Sequence, residues 1–423
     1  MPLFVLPGYR TTNWTLIFHP EAAASLDHQA LRIHWSAGLA VLVAMYFLAR
    51  AVWRQRFDRG PRLGLVVGLG FVFLLSLIAG LATNPNRLNI VYFIQTILPM
   101  SGFLAGASLA DRVPSLQRVL WLFVCVVTFS IICILLLAFS YGALSSDVAA
   151  ANRLAKAIPQ LQDYFPFIVV ASLSLSLGLM ASSGGRRRKA LLLVAAAIHL
   201  SFFAIVWSRM AMIMLALAII APVVLASRST PWGRRVVHAA AVALLLVGIG
   251  IIVTQVTVLG TRLQYASGDD NSTVQSDSKR IEYAAEALKM IAAQPILGRQ
   301  FVPDSQLKVT GSRTEPLRIP RVFRAHNQYL DYGIRAGLPA MALLAAIMWT
   351  NVLDLRRALR VSATASGVRP LVVGIAGALF ALAAGNLTQL FLVQVQTGSL
   401  AWFLMGVTAR LPRITGEDTG SPC

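Results

Sequence analysis

The stretch 118-RVLWLFVCVVTFSIICILLLAFS-140 carries a single charge, at its first residue, and then runs apolar to its end. A helix needs about 20 such residues, at 1.5 Å each, to cross the hydrocarbon of a bilayer. Working outward from it, similar blocks fill residues 33–53, 64–83, 89–110, 164–182, 190–207, 210–227, 236–258, 333–353, 370–387 and 390–410. With 118–140 they make eleven predicted spans. Residues 3–19 are apolar but interrupted by Pro7, Gly8 and Arg10, and read either as a twelfth span or as an interfacial segment. The chain of 423 residues is 57% hydrophobic and 13% charged. Spanning segments must satisfy their backbone hydrogen bonds internally, and the weak alternating decamers of a β-barrel are absent, so the predicted fold class is an all-α polytopic membrane protein.

A formal charge of +20 raises the question of a nucleic-acid partner, which the distribution of the charge answers. RQRFDRGPR after the first clear span, GGRRRK at 184–189, RSTPWGRR at 228–235 and LRRALR at 355–360 fall on one side by strict alternation. Basic short loops mark the cytoplasmic side. The charge is therefore topological and no nucleic-acid partner is expected. Cys125 and Cys133 share one apolar block and Cys423 is the last residue, so neither a disulfide framework nor a zinc site is expected. The N-terminus lacks a basic n-region and a small-residue cleavage site and does not read as a signal peptide.

The resulting organisation is a transmembrane part at 1–258, a long polar interval at 259–332 on the non-cytoplasmic side, further spans over 333–410 and a cytoplasmic tail at 411–423. A polar interval of that length in a compact bundle is functional or disordered. Within it, 278-SKRIEYAAEALKMIAA-293 places Ile281, Ala284, Ala285, Leu288 and Ile291 at helical spacing, with Asp277 or Ser278 as the cap and Pro295 as the stop. The stretch from Gly298 to Arg324 reads as irregular chain.

Three residues on the non-cytoplasmic side could carry chemistry. His326 stands where HNQYLDYGI opens the next membrane helix. A lone histidine is more often structural, but the positive end of a helix dipole keeps the ring neutral and able to accept a proton, as a general base requires. Arg209, in WSRMA, stands at a joint between two apolar blocks and reads either as a site residue or as an interfacial anchor. Arg280 and Lys279 oppose the dipole in the first turn of the predicted loop helix. An anionic ligand would resolve that conflict at Arg280, and plain solvation is the alternative. Arg87, Arg153, Arg299 and Arg324 face the same side and are weaker candidates for an electropositive mouth. Asp269 and Asp270 lie in the turn-like SGDDNST with no third carboxylate nearby, so no metal is expected there. Neither a P-loop nor a GxSxG elbow is present.

Three stretches in order, WSRMA with Arg209, KRIEYAAEALKMIAAQPILGRQF with Arg280 and AHNQYLDYGIRAGLPA with His326, resemble the O-antigen ligases and the related O-antigen polymerases and bacterial O-oligosaccharyltransferases. Arg299 departs from the pattern, standing where relatives often have a second small residue after the glycine. The resemblance implies a membrane glycosyltransferase of the GT-C type that moves a finished polysaccharide from undecaprenyl diphosphate to a sugar hydroxyl of the lipid A core. It places that reaction at the periplasmic face of the inner membrane, without a metal or other cofactor and with inversion at the anomeric carbon. It further implies that His326 is the base and that Arg209 and Arg280 hold the diphosphate. A polymerase would use a second lipid-linked glycan as acceptor, and a protein-modifying relative a serine or threonine. From a different class, a transporter of lipid-linked glycan would show charged or broken segments near mid-membrane in paired halves, and no such halves are evident.

Overall fold

The apolar blocks become helices because a helix closes its own backbone hydrogen bonds where no water can. The computed structural model describes residues 61–83, 85, 87–110, 112–140, 165–203, 214–216, 218, 272–301, 327–362, 368–387, 390, 392 and 395–418. These residues form α1 (Pro61–Thr83), α2 (Arg87–Ile97), α3 (Ser101–Leu109), α4 (Val113–Ser140), α5 (Phe165–Ser182), α6 (Arg186–Phe202), α7 (Ser272–Ala293), α8 (Gln328–Val361), α9 (Arg369–Gly385) and α10 (Val395–Asp418). Among the described residues there is no strand. Five stretches there are long and apolar enough to cross a membrane: Arg62–Thr83, Asn89–Leu109, Val113–Ser140, Phe165–Ser182 and Gln328–Val361. The chain is an all-α polytopic membrane protein. The spans expected at 33–53 and 236–258, most of 210–227 and residues 3–19 lie outside the described residues.

Each helix reveals its neighbours by what it buries. On α4, Val113, Leu116, Leu120, Val124, Val127, Ile131, Ile134 and Ala138 form one buried stripe at steps of three and four residues. Its far side exposes Leu122, Phe129, Leu136 and Phe139, which suits a face turned to lipid. Helix α5 is central, and its small residues let neighbours come close. A Cβ on Gly178 would stand 2.9 Å from the Cα of Gly374 in α9. The hydroxyl of Ser174 donates to the Gly374 carbonyl at 3.0 Å. Ser172 of α5 and the Nε2 of His199 in α6 share a hydrogen bond of 2.8 Å, so that histidine joins two helices. Between α2 and α3 the chain tightens into a 3₁₀ turn at Leu98–Met100, where Pro99 has no N–H to continue an α-helix.

Helix α8 runs antiparallel to α1. Arg62 and Asp354 pair at one end, Leu343 packs at Gly68 in the middle, and Ser76 meets Arg335 toward the other end. The expected span at 333–353 is the middle of this longer helix, which starts at Gln328 and ends at Val361. It is not continuous. Ala336 (φ −140°, ψ 18°) and Gly337 (φ 76°, ψ −173°) leave helical geometry, dividing a short first part from residues 338–361. Helix α10 likewise continues to Asp418, past the expected end of its span at 410.

Candidate active site

The loop helix α7 begins at Ser272, so Asp277 and Ser278 lie inside it instead of capping it. No Gly or Pro between 272 and 277 stops the helix from extending back that far. Its Ala287, Met290 and Ile291 bury themselves against Ile334 of α8, with Tyr283, Leu330 and Met341 around them. Ile291 faces Gly333, and further on Pro295 accepts from the N–H of Leu338 at 2.7 Å. The two helices therefore advance side by side in the same direction over this contact.

What joins them is the turn after α7, residues 294–301, which fits into the break in α8. Breaking a helix frees backbone groups that must find partners when buried. Here the N–H of Arg299 donates to the Ile334 carbonyl at 2.5 Å and that of Gln300 to the Arg335 carbonyl at 3.1 Å. The Ser76 hydroxyl of α1 bridges the Arg335 and Leu297 carbonyls at 2.7 and 2.9 Å. The turn needs left-handed backbone at Gly298, Gln300 and Phe301, each with φ near 59°. Glycine is required where the chains touch: a Cβ on Gly298 would lie 2.4 Å from the Ile334 oxygen, and one on Gly337 2.4 Å from the Ile296 oxygen. Phe301 closes the joint, edge-on to Phe73 and Phe93 with ring centroids 5.7 and 5.6 Å away.

The start of α8 is held from a second direction. Asn327 caps it, its side-chain oxygen accepting from the N–H groups of Tyr329 and Leu330 at 3.0 and 3.1 Å. The Gln328 N–H donates to the carbonyl of Asn386, at the end of α9, at 2.8 Å, and its side-chain oxygen accepts from the N–H of Leu392 at 2.9 Å. Gln328 and Asn386 are both fully buried, yet the Gln328 Nε2 and both ends of the Asn386 amide have no hydrogen-bond partner among the described residues. One turn further, Asp331 and Arg335, both buried, pair at 2.8 Å. The Arg335 guanidinium also lies over the Tyr92 ring, 5.1 Å from its centroid.

His326, Arg209, Arg153 and Arg324 lie outside the described residues. Arg280 is within α7 and Arg87 opens α2, both with side chains outside the described set. Arg280 stands two turns before Ala287, which packs at α8, on the side of the α7–α8 contact nearer the start of α8. His326 is the residue just before Asn327 in the chain. Arg299 sits in the docking turn, its Nε buried without a partner. Sequence reasoning missed the Asp331–Arg335 pair, although an acid and a base four apart in a helix are a visible signal. It also missed Gln328 and Asn386, whose association no local pattern announces. No cluster of potential metal ligands occurs among the described residues.

Residues 196–345 match the family model described as O-antigen ligase, a segment that contains Arg209, Arg280 and His326 and, of the weaker candidates, Arg299 and Arg324. No curated protein matches the chain. This segment, set in a helical membrane architecture, is similar to the O-antigen ligase family, whose members carry out ligase- or polymerase-type reactions on glycans.

Proposed function

We propose that this protein is an O-antigen ligase of the GT-C type, transferring polysaccharide from undecaprenyl diphosphate to a sugar hydroxyl of the lipid A core at the periplasmic face of the inner membrane. The observation that carries the reading is that the matched segment holds Arg209, Arg280 and His326 in the order in which the three motifs occur. The position of Arg280, on the side of the α7–α8 contact nearer the start of α8, agrees with it.

In the reaction, His326 takes the proton of the acceptor hydroxyl as its oxygen attacks the anomeric carbon of the donor. The bond from that carbon to the phosphate oxygen breaks, and the diphosphate leaves with the electron pair. Attack from the face opposite the leaving group inverts the centre. Arg209 and Arg280 stabilise the departing diphosphate: a guanidinium fork matches phosphate oxygens and stays charged at any relevant pH. These cations do the work a divalent metal does elsewhere, and the donor is activated already, so no cofactor is required.

Transfer by purified protein from undecaprenyl-diphosphate glycan to rough lipopolysaccharide is the direct test. His326→Ala is expected to abolish transfer with donor binding retained, and Arg209→Ala or Arg280→Ala to weaken both donor binding and turnover. Activity is expected to persist in excess EDTA. Transfer by His326→Ala protein removes the base assignment, unchanged behaviour of both arginine variants removes the diphosphate clamp, and a requirement for added magnesium removes the metal-free mechanism. A polymerase would instead extend a second glycan lipid and leave the lipopolysaccharide untouched.

A further inference from the structure

Helix α7 has two apolar faces, and α8 accounts for only one of them. Ala287, Met290 and Ile291 are buried against α8. On the other side Ile281, Ala285, Leu288 and Ala292 recur at steps of four, three and four residues, and all are exposed. Ile281 is 73% and Leu288 56% exposed, and the row leads on to Ile296, at 70%. Glu282 and Lys289, also exposed, lie about a quarter turn around the helix on the same side, so one edge of the row is charged and the other turns toward α8.

The same surface runs onto a membrane helix. The Ile296 carbonyl abuts Gly337, the Leu338 N–H bonds to the Pro295 carbonyl, and Leu338 is itself half exposed. Leu338 is the first residue after the break in α8, and residues 338–361 are long enough to cover about 36 Å, more than the roughly 30 Å of bilayer hydrocarbon. The apolar row of α7 thus reaches α8 at Leu338, just after its break. A helix with an apolar row edged by charge, joined at its end to a membrane helix, has the form of one that lies in the membrane interface.

We infer that the exposed face of α7 is a membrane-docking surface, with Ile281, Leu288 and Ile296 seated among the acyl chains of the leaflet that borders the N-terminal end of α8. Ala285 and Ala292 keep the row shallow between the larger side chains, and Glu282 and Lys289 lie at the headgroup level. The docking rests on the placement of α7 against α8 and is independent of the reaction that the protein catalyses.

The test is site-directed spin labelling in protein freed of Cys125, Cys133 and Cys423 by substitution to alanine and reconstituted in phosphatidylethanolamine–phosphatidylglycerol vesicles. Labels are placed one at a time through Ile281→Cys, Leu288→Cys, Glu282→Cys and Lys289→Cys. Collision rates are measured with oxygen, which concentrates in the bilayer, and with a water-soluble nickel chelate. The ratio of oxygen to chelate collisions is expected to be at least threefold higher at 281 and 288 than at 282 and 289. Equal access of the chelate to 288 and 289 overturns the docking. Exclusion of both reagents from 288 overturns it as well, since that pattern means a protein cover such as a second copy.

Discussion

Arg335 is a cation taken out of water with Asp331 beside it. Removing one partner of a buried ion pair leaves the other charge uncompensated, at a cost of about 3–5 kcal/mol, whereas replacing both by apolar residues of similar volume is often near neutral. Asp331→Leu is therefore expected to destabilise the protein in micelles strongly, and the double variant Asp331→Leu with Arg335→Met to recover most of the loss. Chemical denaturation of the two variants side by side gives the comparison. Should the double variant be as unstable as the single, Arg335 owes its place to Tyr92 and the surrounding packing more than to the carboxylate. At this scale the candidates His326, Arg209 and Arg280 are read from residue type and from the motifs they stand in, and His326 and Arg209 lie outside the described residues. The buried amides of Gln328 and Asn386 are not legible, since their meeting depends on how α8 and α9 pack, 58 positions apart in the chain.

Among the elements, the joint between α7 and α8 fixes how the loop helix sits against the membrane helix. Backbone meets backbone there, so its tolerance for a side chain can be read from single atoms. Gly337→Ala places a methyl group 2.4 Å from the Ile296 oxygen and imposes a φ of 76° on a residue with a Cβ. Strain of this kind costs on the order of 1–3 kcal/mol before any repacking. The variant is expected to lower the thermal midpoint in detergent and to reduce turnover, because it shifts α7, which carries Arg280, against α8. Wild-type stability and turnover in Gly337→Ala protein would mean that the joint yields without consequence. The element pattern itself is largely open to a sequence reader: blocks of about twenty apolar residues give the helices. The break at Ala336 and Gly337 is harder to see. Gly337 and Pro339 hint at it, but what holds it open is a pair of N–H groups from Arg299 and Gln300, donated by a segment that reads only as irregular chain. The true start of α7 escaped for the opposite reason, that six further residues ahead of Ser278 contain nothing that forbids a helix.

For the molecule as a whole, class and chemistry meet in how the rate depends on pH. An imidazole acts as a base only in its neutral form. Transfer is therefore expected to fall about tenfold for each further unit of acidity once the proposed base, His326, is protonated, with the loss reversed on returning to neutral pH. The arginines remain charged throughout, so donor binding stays level across the same range. A rate that holds steady down to pH 5 would assign the proton transfer to another group.

The joint between α7 and α8 also bears on how the chain can be divided. Residue 301 ends the docking turn and residue 327 caps the next helix, and each is anchored by contacts that do not run through the 25 residues between them. The covalent link across 302–326 is then not what keeps the two helices together. Two polypeptides, one ending and the other beginning within that interval, should reassemble when made in the same cell.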